Sequence, residues 1–171
     1  MIQLAFEPAF DPFHAAFRVL RLAAYKGRAP TQLMRLKVLD LFLVEPRRCL
    51  EIRLSPPLKK AAKLAATNQP AIYGQRPSST VLFNRMSPMQ DAAIQTLVSQ
   101  GFLDGDAFSQ GQILVGDIAV PSNLAARISD MNVLQASLMS FLCRDLDEVP
   151  LDGPKGLKDR TGLGEYRYDI I

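Results

Sequence analysis

Residues that carry most enzyme chemistry are scarce in this sequence. Its 171 residues include one histidine, His14, two cysteines and no tryptophan, so a zinc site that needs two imidazoles is excluded. A Cys-x-x-Cys pair, a phosphate-binding Gly-x-x-x-x-Gly-Lys-Ser/Thr loop and a Gly-x-Ser-x-Gly elbow are all missing. The sequence therefore predicts that the chain is not an enzyme and has no catalytic residue, metal site or cofactor.

Long apolar runs are also missing, because charged residues, 22% of the chain, interrupt every candidate. A helix that crosses a bilayer needs about 20 apolar residues, and residues 1–7 lack the basic start and apolar stretch of a signal peptide. We therefore expect a cytoplasmic protein without membrane contact. Cys49 and Cys143 each have a leucine beside them, which favours buried, reduced thiols over a disulfide.

The pattern of apolar residues predicts a mostly α chain with a small β wing (α+β). Asp11 and Pro12 are typical of a helix start, and the apolar positions of residues 31–44 cover most of a helix circumference, which predicts a central helix. Further helices are expected at residues 58–67, 88–100 and 121–146, the last broken near 129–130, with short apolar elements at 81–83, 102–103, 112–115 and 117–121. This order favours a winged-helix-like single domain with extra N- and C-terminal helices.

The last 20 residues favour an ordered segment, because glycines recur at 153, 156, 162 and 164. Arginine and tyrosine are frequent anchors of interfaces. We therefore predict a domain at residues 1–151 and a C-terminal interaction tail at 152–171, in which Arg160, Tyr166, Arg167 and Tyr168 bind a partner. The alternative is that this tail packs on its own domain.

Positive charge is concentrated in the middle of the chain, although the whole carries only +3. Between residues 46 and 90 there are eight basic residues and one acid, Glu51. Such a patch is typical of contact with the DNA backbone or with an acidic partner, and a solvated surface is the alternative. The candidate contact residues are Arg47, Arg48, Arg53, Lys59, Lys60 and Lys63.

Four segments in the same order resemble the middle component of bacterial ABC three-component systems, which include the Lamassu anti-phage and plasmid-elimination operons. They are residues 11–18 (DPFHAAFR), 36–46 (LKVLDLFLVEP), 89–97 (MQDAAIQTL) and 156–169. The last segment contains GLKDRTG and EYRYD. The resemblance implies a non-catalytic adaptor that accompanies an ATPase of the structural-maintenance-of-chromosomes type and an effector, often a nuclease. It implies that the adaptor couples the state of the ATPase to the effector.

A stand-alone winged-helix transcription regulator is the alternative function. Such a protein needs a recognition helix with basic or amide side chains aimed at base edges. The candidate helix at residues 88–100 has no lysine or arginine, which disfavours this interpretation.

Overall fold

A computed structural model describes residues 7–70 and 74–163 of the chain. Within these ranges the helices are α1 Pro12–Lys26, α2 Leu33–Val44, α3 Pro56–Ala66, α4 Ser79–Ser99, α5 Gly105–Ser109, α6 Ser122–Leu134, α7 Ala136–Cys143 and α8 Leu157–Thr161. Strands β1 Thr31–Gln32 and β2 Gln112–Ile113 pair antiparallel, and 3-10 turns span Pro8–Phe10, Pro46–Glu51 and Asp145–Glu148. The prediction of a mostly helical α+β chain is confirmed.

Helix α1 begins where the sequence predicted. Asp11 Oδ1 accepts hydrogen bonds from the backbone N–H groups of Phe13 (2.8 Å) and His14 (3.0 Å). These bonds satisfy donors that the first turn of a helix otherwise leaves unpaired, and Pro12 at the first helical position has no N–H to satisfy. The local sequence is therefore sufficient to set this boundary.

Helix α2 is the central element of the core, as its sequence predicted. Every residue from Arg35 to Leu43 is buried, and the helix packs against α1, α4 and α7. Burial on all sides explains why its apolar residues show no single face.

Helix α4 corrects the prediction of a separate apolar element at 81–83 followed by a helix that starts at Pro88. The two are one 21-residue helix, whose N-cap Ser78 accepts a hydrogen bond from Val81 N at 3.2 Å. Pro88 lies inside the helix, where a proline removes one backbone hydrogen bond at a cost of about 3 kcal/mol. Burial of the face formed by Leu82, Phe83, Met86, Gln90, Ala93, Ile94 and Leu97 offsets that cost.

The predicted wing, a short apolar strand at 102–103 followed by a loop and a strand at 112–115, is present in part, because Leu103 and Val115 form an isolated antiparallel bridge. The winged-helix assignment is not confirmed. Residues 114–118 run beside 101–104, with hydrogen bonds from Gly116 N to Phe102 O (2.9 Å) and from Ile118 N to Gly101 O (3.1 Å). A Cβ atom at position 116 would lie 2.2 Å from Gly101 O. Glycine is therefore required for this close approach of the two segments.

The predicted break in the last long helix is wrong by about five residues. Helices α6 and α7 meet at Gln135, whose φ is −107° and ψ is 35°, and residues 129–130 are helical. Leu138, Phe141 and Leu142 are buried as predicted, whereas Leu134 is 77% exposed and does not point into the core. In the described ranges we find no helix with the length and apolarity needed to span a membrane.

Candidate interaction surfaces

A buried charged cluster joins the three helices that form the centre of the fold. The Asp40 carboxylate accepts hydrogen bonds from Arg18 Nε (2.6 Å) and Nη2 (3.2 Å) and from Gln90 Nε2 (2.9 Å). Arg18 Nη1 also donates to Pro8 O at 2.9 Å. Because Asp40 is fully buried, its charge depends on these donors, and the cluster fixes α1, α2 and α4 relative to each other.

Arg21 connects α1 to α6. Its Nε donates to Asn132 Oδ1 (2.9 Å) and its Nη2 to Gln135 Oε1 (2.7 Å), while Asn132 Nδ2 donates back to Arg21 O (3.1 Å). No carboxylate in the described part of the chain forms an ion pair with this buried guanidinium. Burial, reinforced by the charge of Arg18, lowers the pKa of Arg21.

Helix α6 is attached to the domain along a narrow line. Ile128 is the single buried residue among its 13 residues. At its C-terminal end, Val133 is 74% and Leu134 77% exposed. A helix with large exposed apolar side chains and little buried surface is typical of an element that docks a partner.

An apolar groove lies on one side of the line where α6 touches α1. It has a volume of about 790 Å³ and is bounded by the C-terminal half of α1, by Phe102, Val115 and Val120, and by the α6 face that carries Ile128 and Val133. Among the described lining residues, Arg28 is the one charged side chain. Its size and apolar lining suit the side chains of a partner helix.

A second cleft, the arginine cleft, lies on the other side of that line. It has a volume of about 1300 Å³, and helices α1, α4 and α6 supply half of its described lining residues, while the 3-10 turn Pro8–Phe10 and residues 75–77 supply much of the rest. Three phenylalanines, Phe10, Phe13 and Phe17, stand on one wall. The described lining also includes five arginines and three acidic residues: Arg18, Arg21, Arg76, Arg85, Arg127, Glu7, Glu45 and Asp130.

The first part of the predicted interaction tail packs on its own domain. Leu157 and Leu163 belong to the hydrophobic core, and Gly156 sits so close to Asp152 that a Cβ atom would lie 2.4 Å from the Asp152 carbonyl oxygen. Arg160 donates from Nε to Lys155 O (2.5 Å) and from Nη1 to Arg53 O (2.8 Å). Tyr166, Arg167 and Tyr168 lie outside the described residues, so their role in partner binding stays a prediction.

The predicted basic residues do not all lie on one surface. Lys59, Lys60 and Lys63 are exposed on α3 and form no ion pair with any described residue, whereas the face of α3 that carries Ala62, Ala65 and Ala66 is buried. We call these three lysines the basic α3 face. Arg47, in the 3-10 turn that packs against α3, is also exposed.

Arg48 and Arg53 are engaged within the domain. Arg48 is buried, forms an ion pair with Glu45, and donates to Ser79 Oγ (3.0 Å) and Pro77 O (2.7 Å). It is therefore absent from the exposed basic surface. Arg53 is exposed and donates from Nη2 to the backbone oxygen of Asp159 at 2.6 Å.

The described residues contain no group of three His, Cys, Asp or Glu side chains placed to hold a metal ion. Both cysteines are free and buried. Burial raises the pKa of Cys143 to about 12 and raises that of Cys49 as well. Both thiols therefore stay protonated near neutral pH and have little nucleophilic character.

Sequence reasoning did not find the apolar groove or the arginine cleft. Their walls come from segments that are far apart in the chain, so no local motif marks them.

Comparison with known proteins gives a result at the level of the family. No curated protein and no solved structure matches the chain significantly. The model of the family described as ABC-three component (ABC-3C) system Middle Component 5 matches residues 4–169. The resemblance of the four sequence segments is thereby confirmed, and the chain belongs to this family of middle components.

Proposed function

We propose that this chain is a non-catalytic adaptor in a prokaryotic defence complex. It couples an ATPase of the structural-maintenance-of-chromosomes type to an effector such as a nuclease. Its family places it in a system with other components, and the scarcity of histidine and cysteine in the sequence supports a role without chemistry of its own.

The observation that carries this proposal is helix α6. A helix with one buried residue out of 13 is weakly supported by its own domain. Its exposed Val133 and Leu134 extend from an apolar groove of about 790 Å³. Covering these side chains with a partner removes apolar surface from water, at about 25 cal/mol per Å². We therefore assign α6 and the apolar groove to the binding of another component.

The double variant V133D/L134D tests this assignment. We expect its affinity for at least one of the other two components to fall by about a hundredfold or more, because two carboxylates without partners would enter an apolar interface. The measurement is pairwise binding of the purified chain to each component, together with co-purification of the whole complex.

The matched control is L50D/L64D, which places two carboxylates at exposed leucines outside α6. Thermal unfolding should be similar for both variants, since all four side chains are largely exposed. Assembly of V133D/L134D with wild-type affinity would contradict the docking role of α6.

A second candidate function is contact with the DNA backbone through the basic α3 face. Three exposed lysines without ion pairs to described residues give a local positive potential, and lysine neutralises phosphates without reading sequence. The alternative of a stand-alone winged-helix regulator has less support. Gln90, on its candidate recognition helix, is buried and bonded to Asp40.

We expect K59E/K60E to weaken the binding of the assembled complex to non-specific duplex DNA. Each lysine that neutralises a phosphate contributes about 0.9 to the slope of log affinity against log salt concentration. Removing two should therefore reduce this slope by about 1.8. R144E/K155E changes the net charge by the same amount at two exposed residues that lie outside α3 and line neither cleft, and it serves as the control. An unchanged slope in K59E/K60E would show that the basic α3 face is a solvated surface that does not contact DNA.

A further inference from the structure

We infer that the arginine cleft binds an apolar segment of a partner protein that carries carboxylates. This inference rests on the adaptor proposal for the identity of the partner, which is another component of the same complex. It adds a second docking site, of different chemistry from the apolar groove, beside helix α6.

The lining of the cleft has the composition of an interface core. Phe13 is 84% exposed at its edge, and Phe10, Leu124 and Met131 lie along its walls. No lysine is found among its described lining residues. Protein interfaces are enriched in aromatic residues, methionine and arginine and depleted in lysine. A cavity of about 1300 Å³ accommodates several side chains of a bound segment.

The charges of the cleft determine which side chains the partner must carry. Arg85 and Arg127 are exposed on α4 and α6, and neither forms an ion pair with a described residue. Deeper in the cleft, the Arg21 guanidinium donates hydrogen bonds to the neutral side-chain oxygens of Asn132 and Gln135. Three guanidinium groups therefore lack carboxylate partners in the described part of the chain. Arginine pairs with carboxylates in a planar, bidentate geometry, which favours an acidic side chain as the missing partner.

A protein segment fits this cleft better than a nucleic acid does. Glu7 and Asp130 also line it and would repel a continuous run of phosphates. A peptide can place its carboxylates at the arginines and apolar side chains against the phenylalanines. Glu45 does not neutralise the site, because it is already paired with Arg48 and Arg76.

Two docking sites on one helix would allow this chain to connect two components of the complex. The α6 residues Leu124, Arg127 and Met131 face the arginine cleft, whereas Ala125, Ile128 and Val133 face the apolar groove. A partner in each site would contact α6 from either side of Ile128. The helix would then lie between two components of the complex.

The test is the double variant R85E/R127E, measured for binding to each of the other two components in the absence of DNA. We expect its affinity for one component to fall by about tenfold or more, since two attractive contacts become repulsive. Wild-type binding to that component should weaken from about 0.05 M to about 0.5 M salt, and the variant should lose most of this dependence. K59E/K60E, with the same change in net charge, should bind like the wild type.

Several results would overturn the inference. Unchanged binding of R85E/R127E to both components would remove the cleft as a docking site, while the V133D/L134D result would still decide the adaptor proposal. If the wild type self-associates and R85E/R127E abolishes this self-association, the cleft would instead bind a second copy of the chain. An equal loss of affinity in K59E/K60E would show that net charge, and not the cleft, controls binding.

Discussion

Replacing Asp40 by asparagine should lower the free energy of unfolding by about 3 kcal/mol or more. The substitution keeps the shape of the side chain and removes its charge. The Arg18 guanidinium, which lies 2.6 Å from Asp40 Oδ1 and is itself buried, would then be a buried charge without a charged partner. Breaking a buried pair in this way costs about 3–5 kcal/mol. Chemical denaturation followed by circular dichroism measures the loss.

Asp159→Asn provides the control. Asp159 pairs with Arg53 at 3.6 Å, and the two side chains are 52% and 72% exposed, so solvent screens the interaction and the cost should stay below about 1 kcal/mol. In the double variant R18M/D40L both charges are removed, and much of the lost stability should return. A D40N variant that is no less stable than D159N would show that Asp40 does not stabilise the core.

Ending the chain after Leu151 should destabilise the domain severely. This truncation removes Leu157, which is fully buried, and Leu163, which is 5% exposed. Loss of one buried leucine side chain costs about 2–5 kcal/mol. We therefore expect the free energy of unfolding to fall by at least about 4 kcal/mol, a large part of the total for a domain of this size. Thermal unfolding measures the effect.

Ending the chain after Leu163 separates folding from partner binding. This truncation keeps both leucines and removes Tyr166, Arg167 and Tyr168. It should fold like the full chain and lose affinity for a partner, as expected if these residues form the interaction segment. Wild-type assembly by the chain that ends at Leu163 would contradict that role. Wild-type stability of the chain that ends at Leu151 would contradict the structural role of residues 152–163.

Local features of the fold were predictable from the sequence, because short-range chemistry determines them. The Asp11–Pro12 start of α1 depends on hydrogen bonds to the next turn. The central position of α2 follows from apolar residues around its whole circumference. The amphipathic pattern of α3 predicted both the helix and the exposure of its lysines.

Long-range features were not predictable in this way. Arg18 and Arg21, three residues apart, are typical of a solvated face, but Asp40 and the α6 amides make their burial favourable. Pro88 is typical of a helix start, and only the burial of neighbouring residues such as Met86 and Gln90 explains a helix that continues through it. The two clefts combine residues from several helices, so their existence depends on packing that a single sequence does not reveal.

The pairing of Arg53 with Arg160 has a consequence for how the chain folds during synthesis. The two residues are 107 positions apart, and Arg160 donates to the Arg53 carbonyl oxygen at 2.8 Å. Domains begin to fold as they leave the ribosome, N-terminal parts first. The helices around α2 can form early, but the place that Leu157 fills stays open until the ribosome has released residues 157–163. The nascent chain would therefore expose part of its core to chaperones until these residues leave the ribosome.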